Sequence, residues 1–153
     1  MYRYEILKQV MQKKNRASFL AFDNKLKALR FISQLSVNQL NCKVELLSRL
    51  KMHTSPHIVK IFDVIEQEGY VYVIEEYLYG YSLGDLLRNK SLCLNQTNLH
   101  QWELELHNGL TDLHVMQPEQ IFHGDVQPEN IMITMENRAK LVDFSSLRGK
   151  SCA

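Results

Sequence analysis

The chain has 153 residues, 45% hydrophobic and 23% charged, the balance of a soluble globular protein with room for a compact core. Eighteen Lys and Arg against 17 Asp and Glu leave a net charge of +1, which gives no bulk electrostatic case for nucleic acid or an anionic membrane as a partner. Partners must be argued from particular residues.

Short apolar groups at Tyr4-Glu5-Ile6-Leu7, Ser18-Phe19-Leu20-Ala21-Phe22 and Ala28-Leu29-Arg30-Phe31-Ile32, separated by polar turns such as Asp23-Asn24-Lys25, predict three antiparallel strands. From about Asn38 to Met52, Leu40, Val44, Leu47 and Leu50 recur at helical spacing, and Pro56 ends the stretch. Ile58 to Val64 and Tyr70 to Glu76 predict two further strands around a turn at Glu66-Gln67-Glu68-Gly69. After Gly80, read as a hinge, the pattern turns helical: Ser82 caps a short helix over Leu83 to Leu87, and a longer one runs from about Gln96 to Val115. Ile131 to Thr134 and Ala139 to Val142 then form a hairpin across Met135-Glu136-Asn137-Arg138.

Cys42, Cys93 and Cys152 are odd in number and never spaced as C-x-x-C, which speaks against a disulfide framework or a zinc site and fits a reducing cytoplasm. The start, MYRYEILKQVMQKKNR, carries charges throughout, so neither an export signal nor a membrane anchor is expected.

The chemistry gathers at the two ends of the last hairpin. His123-Gly124-Asp125-Val126-Gln127-Pro128-Glu129-Asn130 precedes it and Asp143-Phe144-Ser145 follows it, so three oxygen-bearing side chains meet. Phosphoryl transfer needs Mg²⁺ held against phosphates and a carboxylate that orients the attacking hydroxyl. Asp125 suits the second task, and Asn130 and Asp143 the first.

The H-x-D-x-x-x-x-N run, followed thirteen residues later by D-F-x, resembles the catalytic and metal loops of protein kinases, here a serine/threonine kinase of the bacterial type. Ser55-Pro56-His57-Ile58-Val59-Lys60 looks like the kinase segment after its first helix, and Glu75-Glu76-Tyr77-Leu78-Tyr79-Gly80 looks like its hinge. The resemblance covers nearly the whole chain. It implies an α+β fold, with a five-stranded antiparallel N-lobe and one helix over residues 1–78, and a partial helical C-lobe over 79–153. It implies ATP and Mg²⁺ as cofactors, with ATP between the lobes. The adenine would meet the backbone of Glu76 and Leu78 under Ala28, with Glu75 controlling the rear pocket. Arg30 would stand where the phosphate-gripping lysine belongs, with Ser33 as the alternative. Asp125 would be the catalytic base, and Asn130 and Asp143 the metal ligands.

Several positions depart from the family pattern. Val10 to Ala17 contains no glycine where a phosphate-covering glycine-rich turn is expected; Lys13, Lys14 and Arg16 read as a solvated basic turn, with charge for phosphate as the alternative. Lys43 falls where the helix glutamate belongs, with Glu45 on another face. Gly124 replaces an arginine, Gln127 a lysine, and Ser145 the metal-loop glycine, where it should restrict φ. His123-Gly124-Asp125 also resembles aminoglycoside and choline kinases, which phosphorylate small hydroxyl compounds.

After Leu147 no activation segment or later helices follow, so a truncated C-lobe is expected, with part of the apolar face of the long helix left for a second copy or a partner to cover. Three functions stay open: a serine/threonine kinase-like domain with a protein substrate, weakly active or inactive alone; a non-catalytic pseudokinase-type module binding a partner protein; and a small-molecule phosphotransferase.

Overall fold

The computed structural model describes residues 2–37 and 43–149; the readings above that fall on Leu40, Cys42, the Lys43 side chain and residues 150–153 lie outside them. The chain divides into two units, one of residues Met1–His53 and Lys60–Tyr77, the other of Thr54–Val59 and Leu78–Ala153.

The first unit is the expected five-stranded antiparallel sheet with a helix. Strands β1 (Tyr4–Lys13), β2 (Arg16–Asp23), β3 (Ala28–Ser36), β4 (Ile61–Gln67) and β5 (Tyr70–Glu76) lie in the order β1-β2-β3-β5-β4. The turns follow from local chemistry. Asp23 accepts the N–H groups of Lys25 and Leu26 on Oδ1 at 2.9 and 3.1 Å, bending the chain into β3. Glu68 and Gly69, with φ of 52° and 80°, close the β4–β5 hairpin in the left-handed conformation that a two-residue turn demands. Helix α1 (Lys43–Met52) buries Leu46, Leu47 and Leu50 and packs on β4.

Side chains alternate across the pleat. Pairing of Arg30 with Ala21 and Glu76, and of Ile32 with Phe19 and Ile74, puts these residues on one face. There Tyr4, Ala21, Ile32 and Ile74 form a buried cluster backed by Phe19, Phe62, Ile65 and Tyr72. Pairing of Phe31 with Glu75 and Ser33 with Val73 puts those four on the other face.

In the second unit, β6 (Gly80–Ser82), β8 (Ile131–Thr134) and β9 (Ala139–Leu141) make a three-stranded sheet, while β7 (Ile121–Phe122) pairs with β10 (Arg148–Gly149). Gly80, expected as a hinge, opens β6 opposite Thr134, and a Cβ there would lie 2.0 Å from the carbonyl oxygen of Ile133. Helix α2 (Leu83–Arg88) starts where Ser82 accepts the Asp85 N–H at 3.0 Å, as the sequence predicts. Helix α3 (Gln96–His114), capped by Asn95, buries Trp102, Glu105, Gly109 and Leu113 and packs on β9 and β7, leaving Leu99 and Leu104 exposed. Among the described residues no helix is long and apolar enough to cross a membrane.

The sequence places a strand over Ile58 to Val64, but β4 begins at Ile61. Ile58 and Val59 are buried instead beside β9, with the Val59 N–H on the Leu141 carbonyl at 3.0 Å and the Leu141 N–H on the His57 carbonyl at 2.9 Å. Backbone groups buried this way need such partners, and β9 supplies them.

Candidate functional site

The loop before β8 is built on His123, which is 1% exposed. Its Nε2 lies 2.8 Å from the Val142 carbonyl oxygen, which can only accept, so Nε2 carries the proton; Nδ1 then accepts the Asp125 N–H at 3.2 Å. One neutral imidazole thus ties the start of the loop to the strand leading into Asp143. Gly124 has φ of 85°, and a Cβ there would lie 2.3 Å from the Ser146 carbonyl oxygen, so the returning chain leaves no room for the arginine of the family pattern.

Pro128–Asn130 form a 3₁₀ turn that buries Asn130 and aims it back at Asp125. Asn130 Nδ2 donates to the Asp125 carbonyl at 2.9 Å and to its Oδ2 at 3.0 Å, and Gln127 Nε2 donates to the same Oδ2 at 3.2 Å. Two amides therefore fix one carboxylate oxygen of Asp125. The Val142 N–H donates to the Asn130 carbonyl at 3.0 Å, which brings the Asn130 backbone beside the residue preceding Asp143. The structure thus brings together Asp125, Asn130 and Asp143 at the open end of the β8–β9 hairpin.

Asp143 itself is left-handed, with φ of 63°. Its Oδ1 accepts both the Ser145 N–H at 3.1 Å and the Ser145 hydroxyl at 2.7 Å. Ser145, expected to restrict φ, does not take a positive φ; the positive φ of this loop falls on Asp143.

In the first unit Ala28, Arg30 and Glu76 share the face of Ile32 and Ile74, whereas Glu75 and Ser33 lie on the opposite one. Arg30 is buried, its guanidinium 3.8 Å from the Phe62 ring centroid and its Nε 3.7 Å from Asp23 Oδ2, while Nη1 donates to the Leu29 carbonyl at 3.0 Å. Asp23, fully buried, takes two hydrogen bonds from Arg3, at 2.8 and 2.7 Å. Those bonds hold its carboxyl well below the usual range, with the Leu26 and Lys25 N–H groups adding and burial opposing. Glu76 is tied to Lys60, accepting its N–H on Oε1 and donating its own N–H to the Lys60 carbonyl, both at 2.9 Å. Leu78 belongs to the second unit, half-buried, just before β6. Glu45 on α1 is exposed, and Lys51 of α1 makes an ion pair with Asp63 of β4 at 3.2 Å.

The oxygens of Asn130 and Asp143 are hard donors of the kind Mg²⁺ takes, with water and phosphate completing its shell. Among the described residues no three His, Cys, Asp or Glu side chains gather as a metal-holding group, so the donors offered here are one Asn and one Asp oxygen, with water and phosphate to complete a Mg²⁺ shell. In that sense the residues present fit Mg²⁺ bound with a nucleotide.

Sequence reasoning missed the Asp23–Arg30–Phe62 cluster and the bond from Gln127 to Asp125. The pairing of Asp23 with Ala28 across β2 and β3, two residues from Arg30, was the one signal that could have found the first.

A five-stranded sheet with one helix, followed by an H-x-D loop and a D-F loop at the two ends of a hairpin, defines a kinase-like domain. The family model of the protein kinase domain matches residues 9–149, and the chain belongs to that family. It is 29% identical over 124 residues to the serine/threonine-protein kinase cek1 of Schizosaccharomyces pombe, covering 80% of this chain and 9% of that protein. It is 29% identical over 131 residues to mitogen-activated protein kinase kinase kinase 7 of Drosophila melanogaster, covering 84% of this chain and 19% of that protein. Cell division control protein 2 homolog 3 of Trypanosoma brucei brucei is 33% identical over 93 residues, 61% of this chain and 29% of that protein. The chain therefore spans less than a third of the length of each.

Proposed function

We propose that this chain is an ATP–Mg²⁺-binding, serine/threonine kinase-like domain that transfers phosphate weakly or not at all by itself. The observation that carries the binding half is the arrangement of Asp125, Asn130 and Asp143 around one hairpin end. Asn130 and Asp143 would hold Mg²⁺, which neutralises phosphate charge when bound. Asp125, with Oδ2 fixed by Asn130 and Gln127, would present Oδ1 to a serine or threonine hydroxyl, orienting it and accepting its proton.

A second reading, a non-catalytic module binding a partner protein, is favoured by Arg30. Phosphoryl transfer relies on a third-strand cation at the phosphates. Arg30 is buried against Phe62 and Asp23 on the face away from Glu75, and Gln127 brings no charge to replace it.

A thermal-shift titration with ATP, with and without Mg²⁺, on the wild type and Asp143→Asn tests the binding claim. Ligand at 100 times its dissociation constant adds about 2.7 kcal/mol to the folded state. The proposal expects a Mg²⁺-dependent rise in melting temperature that Asp143→Asn loses; no rise at saturating nucleotide would refute it and leave the second reading.

A further inference from the structure

The serine in the D-F-S loop sits on one carboxylate oxygen of Asp143, the residue proposed above to hold Mg²⁺. Ser145 delivers two donors to Asp143 Oδ1, its N–H at 3.1 Å and its hydroxyl at 2.7 Å. A glycine, the residue of the family pattern, could supply only the first. The hydroxyl bond is short and charge-assisted, so it withdraws electron density from Oδ1 and places a proton on one of the two Asp143 oxygens that could ligate a metal ion. The loop is held around this contact. Phe144 is buried edge-on to His123 at 6.0 Å, the Leu147 N–H donates to the Phe144 carbonyl at 3.2 Å, and the Ser146 carbonyl oxygen is seated over Gly124. Ser145 thus has little freedom to carry its backbone away from Asp143.

We propose that Ser145 is a specificity-determining residue that weakens the hold of Asp143 on a divalent cation, because its hydroxyl proton and the cation compete for Oδ1. The inference rests on the Mg²⁺ reading of Asn130 and Asp143 above. Removing the hydroxyl leaves that oxygen with one donor fewer, and cation affinity rises by about tenfold, the factor matching the net worth of one hydrogen bond to a charged group.

The test is a titration of the 153-residue chain with Mn²⁺ alone, following the unbound ion by its electron paramagnetic resonance signal, so no catalytic turnover is needed. Wild type, Ser145→Ala, Ser145→Gly, Ser146→Ala and Asp143→Asn are compared, each with a circular dichroism melt. Binding about tenfold tighter in Ser145→Ala and Ser145→Gly, unchanged in Ser146→Ala and lost in Asp143→Asn, is the expected result. Equal or weaker binding in both Ser145 variants overturns the proposal, and the Mg²⁺ reading survives if Asp143→Asn still abolishes binding. No Mn²⁺ bound by either the wild type or the Ser145 variants overturns the proposal, while the ATP–Mg²⁺ reading then stands or falls on the thermal-shift titration with nucleotide.

Discussion

Replacing Asp23 by Asn tests whether the Arg3–Asp23–Arg30 cluster stabilises the first unit or merely decorates it. The carboxylate receives two bonds from Arg3, at 2.8 and 2.7 Å, and two from the backbone of Lys25 and Leu26. An asparagine oxygen can keep the backbone pair but not the charge. Arg3, with a third of its side chain exposed, can return to water; Arg30, only 7% exposed, cannot, and its guanidinium would be left without a counter-charge at 3.7 Å. Breaking a buried pair by removing one partner costs about 3 kcal/mol or more, which for a chain of this size lowers the melting temperature by roughly 6 to 12 °C. The pH dependence has a definite sign. The folded carboxyl is held below its usual range, so its contribution is complete above the unfolded value of about 3.9 and fades as pH falls below it. Thermal melts followed by circular dichroism at pH 7 and pH 3 should therefore show a gap between wild type and Asp23→Asn that narrows at pH 3. Equal melting temperatures at pH 7, or a gap of constant width, would refute this reasoning.

Gly124→Ala combines a left-handed φ of 85° with a Cβ 2.3 Å from the Ser146 carbonyl oxygen; a loss of at least about 2 kcal/mol is expected in a thermal melt. In Gly109→Ala the new Cβ meets the His57 carbonyl oxygen at 3.0 Å and its Cβ at 3.2 Å, and overpacking of this kind costs about 1 to 3 kcal/mol, read by the same melt. Asp125→Asn should lower whatever transfer of labelled γ-phosphate to a serine peptide the chain supports by at least about 100-fold, while leaving its ATP-induced thermal shift in place.

The strands and helices were legible because their signals are local. Alternation marks β2, β3 and β5, Ser82 marks the start of α2, and the Met135 to Arg138 turn marks the β8–β9 hairpin. The short strands β6, β7 and β10 were not, since two or three residues carry no period and each is defined by a partner distant in sequence. The same holds for Ile58 and Val59, whose apolar run reads as a strand start until β9 claims their backbone. At the site, the order of Asp125, Asn130 and Asp143 was readable as a motif. The environment of Arg30 was not: alternation says that Arg30 and Ser33 point to opposite faces, but only the register with Ala21 and Glu76 says which face holds Asp23 and Phe62. Ser145 was read only as a residue that restricts φ; the bond of its hydroxyl to Asp143 Oδ1 depends on loop geometry that carries no sequence signal.

The central claim is that Asn130 and Asp143 bind ATP through Mg²⁺. Isothermal titration calorimetry of ATP into the wild-type chain and an Asn130→Ala, Asp143→Asn double variant, each with and without Mg²⁺, tests it most directly. The account predicts saturable binding in the wild type that needs Mg²⁺ and disappears in the double variant. Binding of equal strength in the double variant, or no heat from the wild type at millimolar ATP and Mg²⁺, would contradict it.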